Sequence, residues 1–589
     1  MKYPTLTEQD SSRQMVDTFK GYNHNLRISD GEFFDMKNMT SDYYPVLSPR
    51  KNRGVYASPT SPTGLIAKDA LCYVDGSEFV INEYRVDLGL NDEPKQLISM
   101  GAYVIIMPDK KWINTKDLTD YGNIEAEVQT NASVSFTLCK LDGTDYISDI
   151  PTDEPEKPAN MDLWIDTSTE PHSLKQWSES SGMWVTIATT YVKISSPGIG
   201  VPFEKYDGIT ISGLSGALHD NVTGNIIEDS SELAALEGAA VVWEKGDDYI
   251  VVVGILDTTR TITDVVTVSR KMPNMDFIVE SENRLWGCRY GEAINGEVVN
   301  EIYASKLGDF KNWSCYMSLS TDSYTASVGT DGQFTGAITH LGYPLFFKET
   351  CVHKVYGNYP ANFQIQTTAC RGVQKGCDKS LAIVNETLFY KARNAVCAFD
   401  GSLPTEVSYA LSNEAYSEAV GGSHGNKYYI SMKDDSGSQH LFVYDIAKNM
   451  WHKEDDIQVD CFCSCRGEMY AISNGQIITM LGSGTTDADP VEWMVETGEI
   501  GITSPDMKYI SRLTVRMALD IDSEVRFYAQ YDFSDEWEYL FSMHGTNLRS
   551  FSIPIRPKRC DHMKLRIEGV GGAKIYSFTK TIEQGSELS

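Results

Sequence analysis

The chain has 589 residues, of which 41% are hydrophobic and 11% aromatic, so it is globular, and it is too long for a single core. Its 82 acidic residues outnumber 51 basic ones, for a formal charge of −31. That balance argues against a protein that wraps nucleic acid by neutralising phosphates, and it suits a soluble surface or a passage whose wall must not hold DNA.

The N-terminal MKYPTLTEQDSSRQM has no apolar stretch behind Lys2, and no run elsewhere is long enough to span a membrane, so the expectation is a cytosolic chain with no membrane anchor. Residues 31–54, GEFFDMKNMTSDYYPVLSPRKNRG, join acids, aromatics and a basic knot of Arg50, Lys51 and Arg53 in one segment. In so acidic a chain such a knot is a natural partner for an acidic face of a neighbouring copy. Residues 1–60 are read as an N-terminal arm.

From residue 61 onward the pattern is short strands between turns. DALCYVDGSEFVINEYRV is two strands around Asp75–Gly76, and GAYVIIMPDKKWIN repeats the idea with a Pro-Asp turn, which makes 61–115 a first propeller segment. A Pro-rich entry (Pro151, Pro155, Pro158) then leads to Trp164, Trp177 and Trp184 on short strands. That change of character predicts an inserted β-rich domain over 116–268. Its tryptophans are read mainly as the core of a small module, with Trp164 and Trp184 as candidate glycan contacts. The best helix candidate is DSSELAALEGAA (229–240), with Ser230 or Ser231 as its cap.

From 269 to 484, units such as NRLWGCRYG, GYPLFFKETCVHKVYG, NETLFYKARNAVCAFDG and NKYYISMKDDSGSQHLFVYD recur at a spacing near that of four-stranded propeller blades. Residues 485–589 alternate apolar and polar with frequent turns, as in a β-sandwich. The fold class expected is therefore all-β: an irregular β-propeller with an inserted β domain and a C-terminal β-sandwich.

Chemistry-bearing motifs are few. GGSHG (421–425) satisfies G-x-S-x-G, but a strand follows where a hydrolase elbow needs a helix, so it is read as a Gly-rich turn. The thiols of CFCSC (461–465) share one strand face and cannot surround an ion, so they read as small buried side chains. KDDSGSQ lacks the closing glutamate of a calcium loop, and the ten histidines form no H-E-x-x-H. No catalytic, metal or cofactor residue is nominated.

Residues 19–54, FKGYNHNLRISDGEFFDMKNMTSDYYPVLSPRKNRG, resemble the start of tail nozzle proteins of short-tailed bacteriophages, also called tail tubular protein B or tail stabilisation proteins. In that family a G-x-N…G-E…N-M…P-x-L-x-x-R segment precedes a β-propeller. The matching positions here are Gly21, Asn23, Gly31, Glu32, Asn38, Met39, Pro45, Leu47, Arg50 and Gly54. ASKLGDFKNW, ACRGVQKGCDKSLAIVNETLFYKARN, LFVYDIAKNMWH and LRIEGVGGAKIYSF are similar to later strands of the family, in the same order.

The resemblance implies a virion structural protein that is not an enzyme, a homo-oligomeric (hexameric) tail nozzle ring. Such a ring lies below the portal and adaptor, extends or closes the DNA ejection channel, touches double-stranded DNA in transit and supports tail fibres. It also implies assembly in the host cytoplasm and residence in the virion tail. Arg50, Lys51 and Arg53 become contact residues of the arm. The insert departs from a generic nozzle tip, which leaves a role in host contact open, and related propellers occur in long-tailed phages. The rival reading is a carbohydrate-binding receptor-recognition propeller.

Overall fold

The computed structural model describes residues 11–584, apart from 147–149, 228–229, 293–295, 484–489, 504 and 533. The N-terminal ten residues of the expected arm and the last five of the expected sandwich therefore lie outside the described residues.

Short strands rich in β-branched and aromatic side chains, punctuated by Gly, Asn and Asp turns, form successive four-stranded antiparallel meanders, the local solution this pattern favours. Six of these are built from consecutive strands: 62–87, 96–123, 277–327, 336–369, 382–406 and 416–453. The seventh consists of three strands, Cys461–Cys465, Glu468–Ser473 and Gln476–Thr479, and takes Gly54–Ala57 as its fourth. We number these blades 1 to 7.

The blades close into a ring, with a side-chain or backbone contact at every junction. Blade 1 meets blade 2 where Gly64 lies against Lys95 and Leu97. Gln96 exchanges hydrogen bonds with the Ile278 backbone (2.6 and 3.3 Å), and Ser281 Oγ donates to Gly342 O at 2.9 Å, so blades 2, 3 and 4 follow in turn. Gly336 faces Leu381 at the entry to blade 5, and Gly421 and Gly422 face Ser380 and Phe462 of the flanking blades. Cys465 packs with Leu65 and Leu71, which brings blade 7 back to blade 1. The N-terminal strand thus completes the last blade, and no blade is left with a missing partner.

The boundary expected at 116 falls inside blade 2, because Asp117–Asn123 is that blade's outer strand. The segment 61–115 accordingly holds one whole blade and most of a second. The insert runs from Ala126–Gln129 to Thr267–Arg270, which pair with each other, so entry and exit are adjacent. Two small sheets enclose a core that includes Phe136, Phe203, Ile211 and Val252, and the three-stranded sheet Leu163–Asp166, Ser173–Ser178 and Met183–Thr186 sits beside them on Leu138. The helix expected over 229–240 is a single turn, Ser231–Ala234. Its N-cap, Ser230, makes no side-chain capping bond, and from Gly238 the apolar residues are drawn into a strand. Loop 308–313 of blade 3 holds the insert in place: Gly208 N donates to Asn312 Oδ1 (3.0 Å), and Asn312 Nδ2 donates to Tyr206 O (2.8 Å).

In the C-terminal sandwich the long strand Lys508–Tyr531 runs through both halves of one continuous sheet. Its first half pairs with Ala573–Gln584 and its second half with Met563–Val570, and the register breaks between Leu519 and Glu524. Leu513, Val515 and Phe578 on one side face the core with Val495, Phe527 and Ile567 on the other. This sandwich is continuous with the propeller. Blade 6 ends at Met450–Lys453, which pairs with Gly21–Tyr22, then Glu32–Lys37, then Glu492–Thr497. GGSHG is not a turn: Gly421 to His424 end the inner strand Tyr416–His424, where side chains would collide with the neighbouring blades.

Candidate functional site: an N-terminal weave and an aromatic module

Residues 11–57 link the sandwich to blades 6 and 7 of the propeller. Ser11–Val16 adds a strand to the edge of the sandwich, 21–37 joins the sandwich to blade 6, and Gly54–Ala57 completes blade 7. Asn38 sits at the crossing. Its backbone N–H donates to Glu454 O (2.6 Å) and its side-chain Nδ2 to Glu492 O (2.8 Å), while Oδ1 accepts from Arg50 Nε (2.9 Å). Asn38 holds φ at +58°, a left-handed conformation that asparagine tolerates better than most residues.

Two glycines let the backbones approach. A side chain at Gly21 would lie 2.3 Å from Trp451 O, and one at Gly31 would lie 2.5 Å from Thr18 O; both have positive φ. Leu47 is buried and exchanges two backbone bonds with Ile575 of the sandwich (3.0 and 2.9 Å).

The basic knot is divided by this geometry. Arg53 reaches Glu454 at 2.6 Å and Asp455 at 2.5 Å, and Arg50 reaches Asp455 at 3.1 Å. The four side chains are only 8–15% exposed. Burial works against the Arg53 charge, but the two carboxylates outweigh it and hold its pKa above the ordinary arginine value. Arg50 and Arg53 therefore pair with acids of this chain, at the end of blade 6, and not with the neighbouring copy expected, because the fold brings those carboxylates within reach. Lys51, between them, is exposed.

Beside the clamp, His452 is buried on the outer strand of blade 6, against Gly21. Burial and the nearby Lys427 push its pKa down to about 3, so the ring is neutral at ordinary pH. The partner acids Glu454 and Asp455 were visible in the sequence as the acidic run after His452, but nothing local ties them to residues some four hundred positions earlier.

The aromatic module spans 150–187. Trp184 lies between Trp164 and Trp177, with ring centroids 5.4 Å from each. Trp164 Nε1 donates to Thr152 O and Trp184 Nε1 to Glu154 Oε1, both at 3.1 Å, so the proline-rich strap crosses the indole edges. Lys175 Nζ stands 4.9 Å over the Trp164 ring and 2.6 Å from Asp166. Hydrogen bonds from Lys175 and Ser168 bring the Asp166 pKa down to about 2. All three tryptophans remain half-buried, and Met161, Met183 and Val185 nearby are exposed.

Elsewhere, Cys461, Cys463 and Cys465 lie on the inner strand of blade 7, and all three take part in its cluster with Leu65 and Leu71. Burial pushes the Cys463 thiol up to about 12, which keeps it protonated. Among the described residues no group of three His, Cys, Asp or Glu side chains could hold a metal ion, and no helix is long and apolar enough to cross a membrane.

No protein-family model and no curated protein matches the chain. Solved structures give weak likenesses. An exo-β-1,3-galactanase from Phanerochaete chrysosporium is 10% identical, with 52% of this chain and 95% of that one covered at a TM-score of 0.22. The extracellular domain of a hybrid two-component system from B. thetaiotaomicron is 8% identical, with 93% and 98% covered at 0.23. The acylaminoacyl peptidase of Pyrococcus horikoshii is 8% identical, with 55% of each chain covered at 0.23. Likenesses this low carry nothing about activity.

Proposed function

We propose that this chain is a virion structural protein: a subunit of a phage tail nozzle that assembles with copies of itself into a ring around the DNA ejection channel. The observation that carries the reading is the fate of the positions on which the resemblance rests. Gly21, Gly31, Asn38, Leu47, Arg50 and Gly54 are the residues at which the N-terminal segment crosses other backbones, anchors in the sandwich, clamps blade 6 or starts the closing strand. They do work of the kind a load-carrying tail subunit needs, holding propeller and sandwich as one body. The acidic surface supports a wall along which DNA slides without adhering. In this reading the protein has no catalytic role, its partners are the adaptor and portal ring and the tail fibres, and the insert is the nozzle tip.

The test is immunogold electron microscopy of phage particles from the source that encodes this chain, with antibodies against residues 126–270. Label at the end of the tail is expected; particles that never label would overturn the proposal. The half-buried Trp164, Trp177 and Trp184 favour a second reading, in which the module binds host glycan. Glycan-array binding that disappears in Trp164→Ala and Trp184→Ala would support it.

A further inference from the structure

The sandwich carries a face whose charge runs against that of the rest of the molecule. Ser11–Val16, Ala573–Gln584, the first half of Lys508–Tyr531 and the second half of Glu538–Ile553 lie side by side. One surface of this sheet, with Leu513, Val515 and Phe578, is core. On the other the register places Arg13 opposite Thr581 and Thr581 opposite Arg512, and it places Arg516 between Ser577 and Ser550. Arg13, Arg512 and Arg516 are exposed, and among the described residues none of them forms an ion pair. Met15 and Leu548 are exposed on the same surface. Glu583, opposite Ser11 on this face, accepts from the Tyr509 hydroxyl at 2.6 Å and pairs with none of them, so in a chain of net charge −31 three arginines without carboxylate partners form a site for an anionic surface.

This molecule also supplies such a surface. The insert, 126–270, holds 23 acidic and 8 basic residues, about half the excess of the whole chain. Its aromatic module exposes Asp153, Glu156, Glu170 and Glu179, none in an ion pair among the described residues, together with Met183 and Val185. The two surfaces cannot meet within one chain. The insert leaves the ring between blades 2 and 3, while the sandwich is joined to the outer edge of blade 6. In a ring of seven blades those positions are half a turn apart in either direction. Complementary surfaces at opposite ends of one subunit make a heterologous, head-to-tail contact, which closes into rings when the rotation permits.

We infer that the Arg13–Arg512–Arg516 face receives the acidic aromatic module of a second copy of this chain, and that this contact joins neighbouring subunits. The inference rests on the ring reading for its partner, and it adds which surfaces meet. Carboxylates on the guanidinium groups supply orientation and encounter rate, and the exposed methionine, valine and leucine side chains supply apolar contact at the centre.

The test is sedimentation velocity of the purified full-length chain over a range of concentration and salt. Wild type is expected to self-associate, less so at high salt. Arg512→Glu with Arg516→Glu should weaken association by about tenfold or more, because attraction becomes like-charge repulsion. Lys375→Glu with Arg393→Glu, the same charge change on exposed propeller positions, should leave association unchanged. Mixing R512E/R516E chains with chains carrying Asp153→Lys, Glu156→Lys and Glu179→Lys should restore a mixed species. Association that is the same in R512E/R516E as in wild type overturns the inference while leaving the ring reading intact. So does a wild type that stays monomeric at every concentration. Loss of double-stranded DNA binding in R512E/R516E, with association unchanged, would assign the face to nucleic acid instead and also overturn it. Failure of the ring reading itself shows separately, as virions without label.

Discussion

The two regions that stand out in the sequence, the basic knot at 50–53 and the tryptophan cluster at 164–184, meet opposite fates. Arg50 and Arg53 are consumed inside the molecule, where each satisfies a buried carboxylate of blade 6. Trp164 and Trp184 also spend their indole N–H groups internally, yet the module built around them stays half-open and is ringed by exposed methionines and acids. Buried charge must be paired and so binds elements to one another, whereas a small aromatic module can be stable with one side wet. The first region is how the molecule holds itself together, and the second faces outward.

The largest effect should come from the clamp. Arg53→Ala leaves Glu454 and Asp455 buried with half their compensation gone, and it should cost about 3 kcal/mol or more. Urea unfolding should show that loss; a change within experimental scatter would mean the clamp is open to water.

Acid separates the two regions next. His452 is neutral in the folded protein and takes a proton more readily when unfolded. Its contribution is therefore complete above the ordinary histidine value of 6.5 and is lost as pH falls toward about 3. The loss should reach the order of a few kcal/mol, and His452→Gln should flatten that part of the pH profile. Asp166 in the module has a window of the same sign at lower pH. As a carboxylate with a lowered pKa, it contributes above 3.8 and is lost only as pH falls through about 2. The weave should therefore loosen before the module does. Nuclear magnetic resonance of the tryptophan indoles during acid titration would follow both.

Trp184→Ala removes the middle ring of the stack and should cost the module about 2 kcal/mol, with no effect on propeller closure. Limited proteolysis should then cut within 150–187 and leave the rest intact. Cuts spread over the blades would mean that the module is not separable. The smallest effect is expected at Lys51→Glu: although it lies between two clamp arginines, it should stay within about 0.5 kcal/mol of wild type in the same urea experiment, because its side chain is exposed.

Much of the architecture was legible in the residues. Period-two alternation and Asn, Asp and Gly turns mark the strands of blade after blade, because that pattern is local. The insert was visible through Pro151, Pro155, Pro158 and the tryptophans, but its edges were not. Asp117–Asn123 looks like any other exposed strand, and only its pairing with Lys111–Asn114 assigns it to blade 2. The weave was the least legible part. The pairing of Gly54–Ala57 with Gln476–Thr479 and of Arg53 with Glu454 spans some four hundred residues, and no short-range pattern encodes it. The Arg512 and Arg516 face was hidden for the same reason, since these arginines read as the polar half of an ordinary strand until Arg13 and the serine and threonine rows are set beside them.

Hydrogen–deuterium exchange of the full-length chain tests most directly whether the N-terminal segment is structural and the aromatic module faces outward. Amides of 32–37 and 54–57 are expected to be protected like those of blades 6 and 7, while 150–187 exchanges faster. Rapid exchange across 32–57, at the pace of the module or beyond, would contradict the account, because the arm would then be a loose appendage and not the strand that closes the ring.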